Sequence, residues 1–307
     1  MIQIIGAGAI GCLWLGKLKK AGIACHLVSR SSNSSTVLTF HEAQSTSYQF
    51  NISLSNHLLD TNNANEPSTI LVCVKVHQVV DALQQQKPFI TSGQPIILMH
   101  NGYGCAEEVQ KIFPGNPIIS ATTANASLIN NPLDITQTGS GPSYFGAFTS
   151  SATHLESIIT PFKMAMTDVY WCEDIKTKCW LKLAINAVIN PLTAINKIKN
   201  GALSDAEYAT LIEVLIIEIH SVATAEGIKL SQSQLQETIK TVIAATADNY
   251  SSMNRDIFYK RKTEIDFING YLIKKAQQHH IDTPLLTELL YKVKELENHS
   301  QAAVNTQ

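Results

Sequence analysis

Three groups of residues in this chain have the types and spacing to do chemistry. The first is Gly6-Ala7-Gly8-Ala9-Ile10-Gly11, a G-x-G-x-x-G run directly after the apolar residues 2–5. The first glycine permits a tight turn, the second lets a pyrophosphate approach the backbone, and the third lets helix and strand pack closely. A helix opening there aims free N–H groups and a partial positive charge at the phosphates. Alone, such a run also reads as a ligand-free glycine turn. With a strand before it, a helical pattern over 12–20 and a second strand at 24–29, it reads as a dinucleotide site. No carboxylate closes the second strand, where an NAD or FAD site uses one to hold the ribose 2′-OH. The chain instead reads Val28-Ser29-Arg30-Ser31-Ser32, and Arg30 is one of only three arginines. A guanidinium flanked by hydroxyls suits a 2′-phosphate, so NADPH is expected over NADH. A surface arginine in a loop is the alternative.

The second group is Lys182, Asn186 and Asn190, spaced i, i+4, i+8 in the stretch 180–195. This spacing puts them on one helical stripe, each step about 6 Å along the axis. Their neighbours are mostly Leu, Ala, Ile and Val. A lysine among such residues is unfavourable unless something polar binds there, and partial burial lowers its pKa. Pro191 follows directly, so the helix is expected to bend and free a backbone carbonyl. A solvated lysine with an asparagine ladder is the other reading.

The third group is Ser251-Ser252-Met253-Asn254-Arg255-Asp256 with Thr263-Glu264-Ile265-Asp266-Phe267-Ile268-Asn269-Gly270. The serines also read as a helix cap, and Glu264 as an exposed ion-pair partner of Lys260 or Arg261. Lys75 and Asn101 follow two apolar runs, at the strand ends where ligands of open α/β sheets sit. Asn101-Gly102 equally reads as a bare turn.

These groups must be positioned by elements. Short apolar runs at 2–5, 24–29, 69–74, 95–99 and 117–120 alternate with helical stretches, which predicts a parallel sheet covered by helices. Residues 139–148 read as turns and antiparallel strands closing the sheet. Beyond about residue 173 helical periodicity dominates, with amphipathic runs at 176–199, 206–226, 232–247, 255–278 and 284–298. The expectation is an α/β N-terminal Rossmann-type dinucleotide-binding domain over 1–170, followed by an all-α C-terminal domain over 171–307. A length of 307 residues fits two domains.

Composition removes other classes. Charged residues make up 16%, below the usual 25% or so, and the net charge is −2. No global basic field exists to hold nucleic acid. No apolar run is expected to reach the roughly 18 residues of a membrane helix. The apolar N-terminus reads as a strand and helix, not a leader peptide. Six cysteines form no C-x-x-C pair and read as free thiols in a reducing cytoplasm. His100 reads as structural, Cys105 carries no mark of a nucleophile, His279-His280 reads as a solvated helix end, and no metal ligand set is visible.

The segments GAGAIG, VKVHQ, HNG, KLAINAVINPLTAI and SSMNRDI…TEIDFING together resemble the ketopantoate reductase (2-dehydropantoate 2-reductase) family, in that family's order along nearly the whole chain. The two C-terminal blocks are the most specific. The resemblance implies NADPH-dependent reduction of 2-dehydropantoate to (R)-pantoate in pantothenate and coenzyme A biosynthesis. It puts the catalytic lysine at Lys182 and the active-site glutamate at Glu264. It puts substrate-binding groups at Asn101, Asn186, Asn190, Asn200 and Ser252. Cofactor contacts fall on Gly6, Ala7, Gly8, Ala9, Ile10, Gly11, Arg30, Lys75, Asn101 and Glu264. Asn200-Gly201 also reads as an ordinary helix terminus. A cytoplasmic monomer or homodimer is expected. The alternatives are a reductase of another 2-oxo acid and a non-catalytic NADPH-binding sensor.

Overall fold

A computed structural model describes residues 1–30, 36–43, 46–60 and 68–302. Ser31 and Ser32, read beside Arg30, fall outside them. The chain forms two compact units, Met1–His100 with Cys105–Lys176, and Asn101–Gly104 with Thr177–Gln307.

The first unit runs β1 (Ile2–Ile5), α1 (Ala9–Lys20), β2 (Cys25–Val28), β3 (Val37–His41), β4 (Ser47–Asn51), β5 (Ser53–Ser55), β6 (Thr69–Val72), α2 (Val76–Gln86), β7 (Ile96–Met99), α3 (Ala106–Ile112), β8 (Ile118–Thr123), β9 (Ala126–Asn131), β10 (Asp134–Gly139), β11 (Ser143–Ala147), α4 (Thr160–Ala165) and β12 (Val169–Trp171). Eight strands make one sheet in the order β12-β11-β8-β7-β6-β1-β2-β5. From β8 to β5 all pairings are parallel. Their order is the 3-2-1-4-5-6 arrangement of a dinucleotide-binding sheet. Strands β1, β2 and β7 are buried along their whole length, which is why they read as unbroken apolar runs. The expected closing strand is β11, antiparallel to β8, and β12 extends the edge parallel to it. The α/β character and the parallel sheet are as read from the sequence, with α1 starting three residues earlier than its periodicity suggested.

A second sheet, β4-β3-β10-β9, was not expected. It covers the outer side of α1. The Phe40 ring lies 2.8 Å from where a Cβ on Gly16 would stand, and the Ser127 hydroxyl donates to the Ala9 carbonyl at 2.6 Å. Glu42 binds both Lys17 and Lys20. On the other side Trp14 meets Phe145 and Phe162 edge-on and donates its indole N–H to Met99 Sδ. The helix that opens at the glycine turn is thus held from two sides.

The second unit contains α5 (Ile175–Asn196, its first two residues counting with the first unit), α6 (Ala206–Ala225), α7 (Gln232–Ala245), α8 (Ser252–Phe258), α9 (Ile265–Gln278) and α10 (Pro284–Ala302). Its core joins Trp180, Leu183 and Val188 to Leu215, Ile219, Leu235, Leu272 and Leu289. The expected single helix at 255–278 is two. Lys260 takes the left-handed conformation at φ 54°, and Arg261 N–H donates to the Asp256 carbonyl at 2.8 Å, turning the chain before α9. No glycine or proline marks this break, so periodicity ran through it. Helix α6 overturns a second expectation. It is long and apolar enough to cross a membrane by length and composition, with a mean hydropathy of 1.4. Here Leu215, Ile216, Ile219, Val222 and Ala223 pack into the helical core. The Glu218 carboxylate accepts the Leu285 and Leu286 N–H groups at 2.9 Å, filling orphan donors at the start of α10.

A Cβ on Gly11 would overlap the Gly6 carbonyl oxygen, whereas one on Gly8 would meet nothing nearer than the Cys73 carbonyl oxygen at 3.9 Å. Gly11→Ala is therefore expected to cost about 1–3 kcal/mol, read as a lowered Tm. Gly8→Ala should leave thermal unfolding close to wild type.

Candidate functional site

In the first unit, Gly6 turns at φ 116° and donates its N–H to the Val28 carbonyl at 3.0 Å. A side chain there would strike Val74 and Cys73. Gly8 is the N-cap of α1 in extended conformation, and no side chain caps that helix. Open space above Gly8, a twelve-residue helix behind it and no carboxylate in its first turn make a cradle that fits a pyrophosphate. Ala7, Ala9 and Ile10 are half-buried around it. Arg30 is exposed two residues past β2, and Lys75 sits at the N-cap of α2, half-buried. The thiols beneath are inert: burial pushes Cys12 up to about 12 and raises Cys73 further. Cys105 Sγ lies 3.0 Å from His100 Nε2, a buried thiol against an imidazole.

In the second unit, α5 carries Lys182, Asn186 and Asn190 on one stripe. Lys182 is half-buried, and burial draws its ammonium below the ordinary lysine value of 10.5. Among the described residues no carboxylate lies within ion-pair distance of it. Asn186 is 7% exposed and Asn190 6% exposed. Asn186 Nδ2 donates to Asn101 Oδ1 at 3.5 Å, and Asn101 Nδ2 donates to Glu264 Oε2 at 3.3 Å. These hydrogen bonds bring together residues 85 and 163 positions apart in the chain.

Local structure explains how each gets there. Glu264 is the N-cap of α9, but its side chain does not cap; the Thr263 hydroxyl accepts the Ile265 N–H at 3.2 Å instead. The buried Glu264 carboxylate is left to face Asn101. The alternative exposed pairing is not what forms, since Arg261 Nε binds Asp256 at 3.2 Å. Asn101 heads a segment laid against α9. Gly102 sits at φ 82° with its Cβ position 2.9 Å from the Phe267 carbonyl oxygen, and Tyr103 N–H donates to that oxygen at 2.9 Å. Asn101-Gly102 is therefore a turn whose glycine is needed for close approach.

The backbone carbonyl expected to be freed at Pro191 is present. Helix α5 continues to Asn196, and the carbonyl that Pro191 leaves without its partner, Ala187 O, accepts from Asn269 Nδ2 at 3.4 Å. Of the two serines, the buried Ser251 caps α8, accepting from Asn254 N–H at 3.1 Å and from the Thr193 hydroxyl at 2.7 Å. Ser252 is exposed in the first turn. Asn254 Nδ2 donates to the Thr193 carbonyl at 2.7 Å. Sequence reasoning passed over Thr193 and Asn254; the Ser-x-x-Asn spacing of a cap was the available signal. Asn200 stands apart from the Asn186–Asn101–Glu264 bonds: its Nδ2 donates to Thr246 Oγ1 at 2.9 Å, at the end of α7, and its buried Oδ1 has no partner among the described residues. His279 is paired with Glu226 at 2.8 Å rather than simply solvated.

Two outcomes test this geometry. Lys182→Met removes a charge from apolar surroundings, so Tm should hold or rise by a few degrees. A clear fall would reveal a stabilising partner for the ammonium. Gly102→Ala should cost about 1–3 kcal/mol by overpacking against Phe267, lowering the melting temperature of the helical unit.

Comparison with known proteins places the chain in a family. Residues 2–150 match the family described as "Ketopantoate reductase PanE/ApbA", and residues 174–297 match "Ketopantoate reductase PanE/ApbA C terminal". A 2-dehydropantoate 2-reductase of Vibrio cholerae is 36% identical over 296 residues, covering 96% of this chain and 97% of that protein. A PanE/ApbA family ketopantoate reductase from Ralstonia eutropha superposes with a TM-score of 0.86 at 23% identity, covering 98% of this chain and all of that one. A D-mandelate dehydrogenase solved with NADH and anilino(oxo)acetate gives the same TM-score at 19% identity over 98% of this chain and all of that one, a likeness of fold. With both halves matched in order and a relative alike from end to end, the chain belongs to the ketopantoate reductase family.

Proposed function

We propose that this chain reduces 2-dehydropantoate to (R)-pantoate with NADPH, as a step of pantothenate and coenzyme A biosynthesis in the cytoplasm. The observation that carries the reading is the Asn186–Asn101–Glu264 chain of hydrogen bonds in the unit whose α5 also holds the desolvated Lys182. The ligand class fits the donor set. A 2-oxo acid with a hydroxyl offers one anion, one polarisable carbonyl and one neutral donor, and amides and hydroxyls orient such groups without adding charge.

The cofactor, when bound, supplies a hydride to the keto carbon. The glycine turn and the first turn of α1 would hold its pyrophosphate, and Arg30 and Lys75 its 2′-phosphate end. Lys182, as an ammonium, would stabilise the charge growing on the keto oxygen and donate its proton there. Glu264, through Asn101, would fix the amide network and accept the substrate hydroxyl. Asn190 makes no side-chain hydrogen bond among the described residues. Its buried amide and the exposed Ser252 hydroxyl would each have hydrogen-bonding capacity left for a ligand. Asn200 supports the fold at the end of α7 and would bind substrate only through its free Oδ1.

The test is NADPH oxidation by purified protein with ketopantoate, beside 2-oxoisovalerate and NADH. NADPH-specific turnover of ketopantoate is expected, and Lys182→Ala should lower kcat by about 10²–10⁴-fold. A change in KM alone would remove the acid role. Lys182 acts protonated, so kcat/KM should fall as pH rises through its lowered pKa, below 10.5. NADPH binding without turnover of either acid would favour a sensor. Arg30→Ala should raise the NADPH KM about 10–100-fold with little effect on NADH, from loss of one charged hydrogen-bonding group.

A further inference from the structure

Asn269 lies in the Thr263–Gly270 segment but has no role assigned above, and its side chain is fully buried on α9, five residues past Glu264. Its Nδ2 donates to the Ala187 carbonyl, and its Oδ1 has no hydrogen-bond partner among the described residues. An amide that makes one bond and buries an unpaired oxygen is a poor space filler; leucine of similar shape would fill the site without that penalty. The value of the amide therefore lies in its donor. The acceptor is special too, because Ala187 O is the one carbonyl of α5 that Pro191 deprives of its i+4 donor. The reverse orientation of the amide would set two oxygens face to face.

The consequence lies in connectivity. Ala187 is adjacent to Asn186 on α5, and Asn269 rides on the helix that begins at Glu264. Asn186 reaches Asn101, Asn101 reaches Glu264, and Asn269 returns to α5, so the three bonds close a ring through two helices and the 101–104 segment. Tyr103 N–H on the Phe267 carbonyl pins that segment to α9 inside the ring. Apolar packing between helices is non-directional and permits small slides. A hydrogen bond at one fixed turn of each helix does not. We propose that Asn269 is a positioning residue: docked on the carbonyl freed by Pro191, it sets α9 against α5 so that Asn101 is reached by Glu264 and Asn186 together. The inference rests on the functional reading above for its effect on rate, but not for its effect on geometry.

The experiment compares wild type with Asn269→Leu and Asn269→Asp by two readouts. The first is kcat and KM for NADPH and ketopantoate. The second, independent of any substrate, is the side-chain amide resonance of Asn101 in protein labelled with 15N-asparagine, assigned by its loss in Asn101→Asp. Asn269→Leu should keep or raise Tm, shift the Asn101 amide signal, and lower kcat about 10–100-fold with the NADPH KM unchanged. Asn269→Asp presents a carboxylate to a carbonyl and regains a donor only when protonated. Its Asn101 signal and its kcat relative to wild type should therefore recover as pH is lowered. Should Asn269→Leu fail to fold, that pH recovery decides alone. An unmoved Asn101 signal with kcat within about twofold of wild type would overturn the proposal. If wild-type protein turns over no ketopantoate, the functional reading fails while the amide signal still judges the positioning role.

Discussion

An ammonium held out of bulk water is unfavourable wherever it occurs, and the helical unit places one at Lys182 with desolvation drawing its proton affinity down. The surroundings here are neutral amides on the same stripe, Asn186 and Asn190, which supply dipoles without a counter-charge. A carboxylate in direct contact would push the lysine pKa back up and spend its acidity on a resting ion pair. Glu264 is buried nearby in connectivity but is joined to α5 through Asn101 rather than by a direct ion pair.

The rest of the helical unit is arranged to keep that stripe in place. Proline inside α5 removes a backbone donor, and a side chain from another helix replaces it. At the far end of α5, Thr193 binds the Ser251 cap, and Asn254 returns to the Thr193 carbonyl. Polar side chains thus tie α5 to α8 and α9 at separate turns. The first unit uses a different device. There the glycine turn is shaped by steric exclusion, with Gly11 leaving room for the Gly6 carbonyl and Gly8 leaving room for a ligand.

Much of this could be read from residue order. The apolar runs and the G-x-G-x-x-G turn revealed the parallel sheet, because parallel strands buried on both faces are unbroken in pattern. The stripe at 182, 186 and 190 was visible because helical spacing is local. The second sheet was not, since β3, β4, β9 and β10 mix Ser, Thr, Asn and Gln among their apolar residues, and the pairing of β3 with β10 joins partners far along the chain, as Thr39 with Asp134. The turn at Lys260 was hidden because a left-handed lysine leaves no compositional mark. Glu264 could be singled out but not oriented: its choice between an exposed lysine and a half-buried asparagine depends on Thr263 taking over the cap. Asn200 and Asn186 look alike in sequence, and only tertiary packing sends one to Thr246 and the other to Asn101.

Four residues, Asn101–Gly104, leave the strand order of the first unit and count with the second. The helical unit is therefore not a continuous stretch of chain. A gene cut after residue 176 would yield a C-terminal fragment lacking the asparagine that links Glu264 to Asn186, and a chimera of two relatives joined there would pair one parent's asparagine with the other's glutamate. Modularity in this protein follows hydrogen bonds rather than sequence position, and exchange between lineages is constrained at a four-residue loop lying far from the apparent seam.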